Sequence, residues 1–108
     1  MSLEYNFMEI RFAEQGSRLV IAFIGDLDNE AAPEAEKMLQ RVFEQKEYDI
    51  QFDCSQLNYI SSKGLRLFIN LYKHLRDTGK HGYITKMNKN VKEVLYISGF
   101  LTLFEEIK

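Results

Sequence analysis

Tryptophan is absent from this 108-residue chain, and proline and cysteine occur once each, as Pro33 and Cys54. A lone cysteine excludes an internal disulfide and fits a reducing compartment, so the cytoplasm is the expected location. Only two histidines, His74 and His81, accompany it; a zinc site would have to recruit carboxylates, and no spacing supports one. No apolar run nears the roughly 20 residues that span a bilayer, which argues against membrane insertion. The opening Met1-Ser2-Leu3-Glu4-Tyr5 has neither the basic nor the apolar segment of a secretory signal. Neither GxxxxGK(S/T) nor GxGxxG occurs, which disfavours a conventional nucleotide enzyme, and no cofactor is expected. Repeats, linkers and low-complexity tracts are missing too. The length suits a single domain over residues 1–108 with one modest core.

What is present is unevenly charged. Residues 1–54 carry 12 acids and 5 bases, a net of −7, whereas residues 55–108 carry 4 acids and 9 bases, a net of +5. Two readings stand: the charges mix when the halves interleave, or the second half presents a basic face to an acidic or phosphorylated partner. The acidic overall balance and the lack of an aromatic-basic motif speak against direct nucleic-acid binding.

The hydropathy pattern predicts strands and helices in alternation. Phe7–Phe12 alternates as a half-buried strand, Glu14–Ser17 turns, and Leu19–Ile24 is a continuous apolar strand, together a hairpin. Gly25-Asp26-Leu27-Asp28-Asn29 reads as a polar loop. Ala32, Ala35, Met38, Leu39, Val42 and Phe43 recur at helical spacing from Ala31 to about Glu44, with Pro33 in the first turn. A short strand follows at Tyr48–Phe52. Leu65, Phe68, Leu71, Tyr72 and Leu75 predict a second helix from about Lys63 to Asp77, stopped at Thr78-Gly79. Gly82–Thr85 is a brief strand, Lys89–Tyr96 a short helix with Val91, Val94 and Leu95 inward, and Leu101–Phe104 a last edge strand. Strand–helix alternation demands parallel crossovers after the hairpin. The expected fold is therefore α/β, with a mixed sheet of four to five strands and interspersed helices.

Catalytic chemistry has little to stand on. His74 and His81 read as surface residues without a local relay, and Cys54, at an expected strand end, reads as a buried small hydrophobe. A small enzyme built on Cys54 or His81 would need a pocket that holds them together. Asp26 and Asp28 suit capping and turning, or an interaction surface.

The serine pair Ser61-Ser62 carries more. It falls where an apolar segment gives way to a helix, so either hydroxyl can cap the free N–H groups there, or one can carry an anion such as phosphate. One hydroxyl suffices for a cap, and there are two. Lys63 and Arg66 stand at the opening of the same helix, where cations oppose the positive end of the dipole and an anion would be welcome. Ser61 suits the cap and Ser62 the anion.

Asp53-x-Ser55-x-Leu57-x-Tyr59-Ile60-Ser61-Ser62-Lys63-Gly64-Leu65-Arg66 resembles the signature of STAS domains, the anti-sigma factor antagonists of bacteria. Gly25-Asp26-Leu27-Asp28 and Val91-Lys92-Glu93-Val94-Leu95-x-x-Ser98-Gly99-Phe100 match two further family blocks in order, and the likeness spans about residues 5 to 107. The resemblance implies a non-enzymatic regulator that binds an anti-sigma factor serine kinase, is phosphorylated by it and is reset by a phosphatase. It implies Ser62 as the phosphoacceptor, with Ser61 as the alternative, and Asp26, Asp28, Ser61, Ser62, Lys63 and Arg66 as the partner-binding face. The family often has aspartate where Ser61 stands and a small residue where Lys63 stands. Other STAS domains serve as scaffolds in lipid transport, transporter or stress-signalling assemblies without this switch.

Overall fold

The alternating and continuous apolar runs at the start of the chain pair as expected. In the computed structural model, which describes residues 8–100 and 105–106, β1 (Glu9–Gln15) and β2 (Arg18–Leu27) form an antiparallel hairpin. The chain continues through α1 (Ala31–Met38), α2 (Gln40–Glu44), β3 (Asp49–Ile60), α3 (Ser62–Asp77), β4 (Gly82–Ile84), α4 (Lys89–Ile97) and β5 (Glu105–Glu106). The sheet runs β1-β2-β3-β4-β5, and every pairing after the hairpin is parallel. This is the α/β mixed sheet that the alternation predicts. The strand expected at Leu101–Phe104 lies outside the described residues, as does Phe7.

Three boundaries differ from expectation. Gly25, Asp26 and Leu27 continue β2 instead of forming a loop. Gly25 has φ 105° at one of two register shifts against β3, so this glycine marks a bulge inside a strand. The short strand expected at Tyr48–Phe52 runs eight residues further, to Ile60. Burial alternates at Ile50, Phe52 and Cys54, then falls every third residue at Leu57 and Ile60, because the register shifts break the period of two. The helix expected over Ala31–Glu44 is interrupted at Leu39 (φ −91°, ψ 3°), which leaves Met38 substantially exposed while Leu39 and Val42 are buried.

α3 supplies the core's centre. Leu67, Phe68, Leu71 and Leu75 are buried, while Leu65 and Tyr72 pack at the margin. The Phe68 ring lies 4.9 Å from Phe23 of β2, 5.0 Å from Phe52 of β3 and 5.9 Å from Phe100 after α4. Tilted and edge-on contacts of this kind add to area burial and seat α3 on both central strands. α4 contributes Val91 and Leu95, whereas Val94, expected inward, is 37% exposed.

Candidate functional site

β2 and β3 run parallel and end in register, with Leu27 opposite Ile60 and Asp26 opposite Tyr59. Each strand then feeds a helix, so the starts of α1 and α3 share the carboxyl-terminal edge of the sheet. That is the edge at which open α/β sheets place their binding sites.

At the first helix, Asp28 is half-buried and its Oδ1 accepts the Ala31 N–H at 2.7 Å, while its carbonyl accepts from Ala32 at 3.0 Å. Glu30 already has helical angles (φ −78°, ψ −37°). Asp28 is thus the functional cap of α1. Asp26 is half-buried in β2 beside the exposed ring of Tyr59.

At the second helix the two serines part. Ser61 is 6% exposed and extended (φ −90°, ψ 176°), and its Oγ accepts the Gly64 N–H at 3.1 Å. Its own N–H donates to the Leu27 carbonyl at 2.8 Å, which ties the start of α3 to the end of β2. Ser62 is the first residue of α3 and is exposed. Gly64 permits the close approach: a Cβ there would lie 2.6 Å from Leu27 Cγ and 2.8 Å from its carbonyl oxygen. Lys63 and Arg66 are exposed and line a cleft of about 230 Å³ between α1 and α3, with Glu36 and Asn70. Neither cation has a described carboxylate within 4.0 Å.

All six residues expected on the partner-binding face, Asp26, Asp28, Ser61, Ser62, Lys63 and Arg66, stand at the ends of β2 and β3 or in the first turns of α3. Three further contributors escaped the sequence reading. Tyr59, 51% exposed, is the outward residue before the buried Ile60, and knowledge of the strand's true length would have flagged it. Gly64 stands inside the signature but discloses its role only through the Leu27 contact. Asn88 caps α4, with Oδ1 accepting the Val91 N–H at 2.8 Å, while Nδ2 donates to the carbonyls of Leu57 (3.2 Å) and Asn58 (3.0 Å) at the end of β3.

Just upstream of this edge, burial raises the Asp53 carboxyl, but hydrogen bonds from the Ser55 hydroxyl and N–H and from Thr85 outweigh it and leave the pKa below the ordinary value. The x in Asp53-x-Ser55 is Cys54, which is fully buried; burial, reinforced by the Asp53 charge, pushes its thiol up, away from the reactive thiolate. His81 is exposed, with its backbone N–H donating to Asp49 Oδ1. His74 is not the free surface residue expected: its Nε2 lies 2.7 Å from the Gln45 carbonyl, and the ring stands edge-on to Phe43. Neither the cleft between α1 and α3 nor a second one lined by Phe12, Leu19, Arg41 and Tyr48 holds Cys54 or a histidine. Among the described residues no group of three or more His, Cys, Asp and Glu side chains is placed to hold a metal ion, and no helix is long and apolar enough to cross a membrane.

Comparison with known proteins identifies relatives of the chain by sequence and by fold. BtrV of Bordetella bronchiseptica, by its name a candidate anti-sigma factor antagonist, is 29% identical over 97 residues, covering 90% of this chain and 84% of that protein. The anti-sigma-B factor antagonist of Staphylococcus epidermidis is 28% identical over 79 residues, 73% of each chain. The Bacillus cell-fate determinant SpoIIAA, solved in its phosphorylated form, shares the fold with a TM-score of 0.71 at 16% identity, over 93% of this chain and 92% of that one. The STAS domain family model matches residues 9–108. The chain belongs to the STAS domain family.

Proposed function

We propose that this protein is an anti-sigma factor antagonist: a non-catalytic binding domain that docks an anti-sigma factor serine kinase through the edge bearing Asp26, Asp28 and Ser61–Arg66, and that phosphorylation of Ser62 switches. The observation that carries the reading is the division of labour between the serines. Ser61 is buried and committed to the Gly64 N–H, whereas Ser62 is exposed and available to a kinase. Names of relatives support it, since two matched curated proteins are called antagonists of this kind. Phosphate adds about −1.5 to −2 of charge and three acceptor oxygens to an exposed position, enough to alter docking without any refolding. The partner supplies ATP and the transfer machinery, and a phosphatase restores the hydroxyl.

The test is radiolabelled phosphotransfer from ATP by the cognate anti-sigma kinase. Ser62→Ala is expected to abolish labelling and Ser61→Ala to retain it; undiminished labelling of Ser62→Ala overturns the assignment. A second reading, a STAS scaffold subunit without the switch, is favoured by one feature: Lys63 fills a position that the resemblance makes usually small, Ser or Ala. Recovery of a transporter or stress-signalling complex on affinity purification, with no kinase, would select it.

A further inference from the structure

The cation pair beside Ser62 has no carboxylate partner among the described residues. Lys63 and Arg66 are exposed, stand near the positive end of the α3 dipole and lack a described carboxylate within 4.0 Å. Glu36 lines the same cleft without closing on either. Three sources of positive potential thus converge where no described carboxylate lies within 4.0 Å of either cation.

We propose that Arg66 is a positioning residue for the phosphorylated state: its guanidinium pairs in cis with the phosphoryl group on Ser62. This rests on the reading of Ser62 as the phosphoacceptor. The γ-phosphoryl group of ATP passes to Ser62 Oγ, the hydroxyl proton leaves to the partner's base, and ADP departs. The product carries its oxygens at helix position i, and Arg66 is position i+4 on the same face. Such residues have Cβ atoms about 5–6 Å apart, and long helical side chains lean toward the preceding turn, which here is the turn of Ser62. The guanidinium fork matches phosphate oxygens in bidentate geometry. Lys63 shares the cleft with Arg66, but as the residue next to Ser62 it does not face the Ser62 side chain, and it contributes field without a direct bond.

The pairing gives the switch a second arm. Without phosphate, Lys63 and Arg66 offer two positive charges to a carboxylate-bearing partner surface. With it, Arg66 is occupied from within and the local charge falls to about zero. The modification withdraws a docking residue in addition to adding a repulsive one.

The experiment places phosphoserine at position 62 during translation, so no kinase is needed, and follows the phosphate by ³¹P NMR titration at low ionic strength. Its second pKa is expected to be lower in the otherwise unaltered protein than in Arg66→Gln by about half a unit or more, the sign of a neighbouring cation at a surface site. Arg66→Lys is expected to restore part of the shift, and Lys63→Gln to change it less than Arg66→Gln does. Equal titration curves for the unaltered and Arg66→Gln proteins overturn the pairing. Because the phosphate is installed directly, failure of a kinase to label Ser62 would sink the functional reading alone, whereas coincident titrations would sink the pairing alone.

Discussion

α1 and α3 begin at the same edge of the sheet, each capped by a side-chain oxygen that accepts from the amide three residues on, yet their electrostatics are opposite. α1 has an anionic cap, Asp28, and an acid, Glu34, in its first turn. α3 has a neutral cap, Ser61, no acid in its first turn, and Lys63 there instead. The start of α1 is satisfied by its own sequence. The start of α3 is built to the same geometric standard but has no acid in its first turn, so an added negative charge would be stabilised there more than at α1.

The steric half of this contrast carries the largest effect. Ala32 and Ala35 seat α1 on the core, while α3 needs glycine because Leu27 lies within 2.8 Å of any Cβ at position 64. Gly-to-Ala in a helix ordinarily stabilises by about 1 kcal/mol, but Gly64→Ala is expected to destabilise by about 2 kcal/mol in urea unfolding. A stabilised variant would show that the α3 start is loosely seated. The caps come next. Asp28→Ala and Ser61→Ala are each expected to cost about 1 kcal/mol, Ser61→Ala the more because it orphans a buried N–H. Salt sharpens the comparison: the Asp28→Ala loss should shrink at high ionic strength and the Ser61→Ala loss should not. The smallest effect tests the charges themselves. Lys63→Gln is expected to stabilise the protein by a few tenths of a kcal/mol and Glu34→Gln to destabilise it by a similar amount. Changes of the same sign would break the contrast.

Much of this edge was legible because capping is local chemistry. Ser61 and Asp28 each accept from the amide three residues on, and the stretch from Ser61 to Arg66 names its own conflict. The strands were harder. Ser55, Gln56 and Asn58 are polar and outward, and the register shifts remove the alternation that would have extended β3 past Cys54, so its second half resembled a loop. Gly25 is ambiguous for the same reason, since bulge and turn ask for the same residue. The interruption at Leu39 has no glycine or proline to announce it. The links of His74 to Gln45 and of Asn88 to Leu57 and Asn58 join residues about thirty positions apart. Periodicity and propensity act over one or two turns and carry no information at that range.

Asn88 narrows the alphabet at its own position. A helix cap ordinarily tolerates Ser, Thr, Asp or Asn, because each offers an oxygen to the helix. Here the same side chain must also hand two hydrogens to two carbonyls of β3, and a hydroxyl has one to give and a carboxylate none. Of the usual capping set, only the amide meets both demands, so substitution by aspartate, innocuous at most helix starts, would keep the cap of α4 and cut its tie to the strand that ends at the serines.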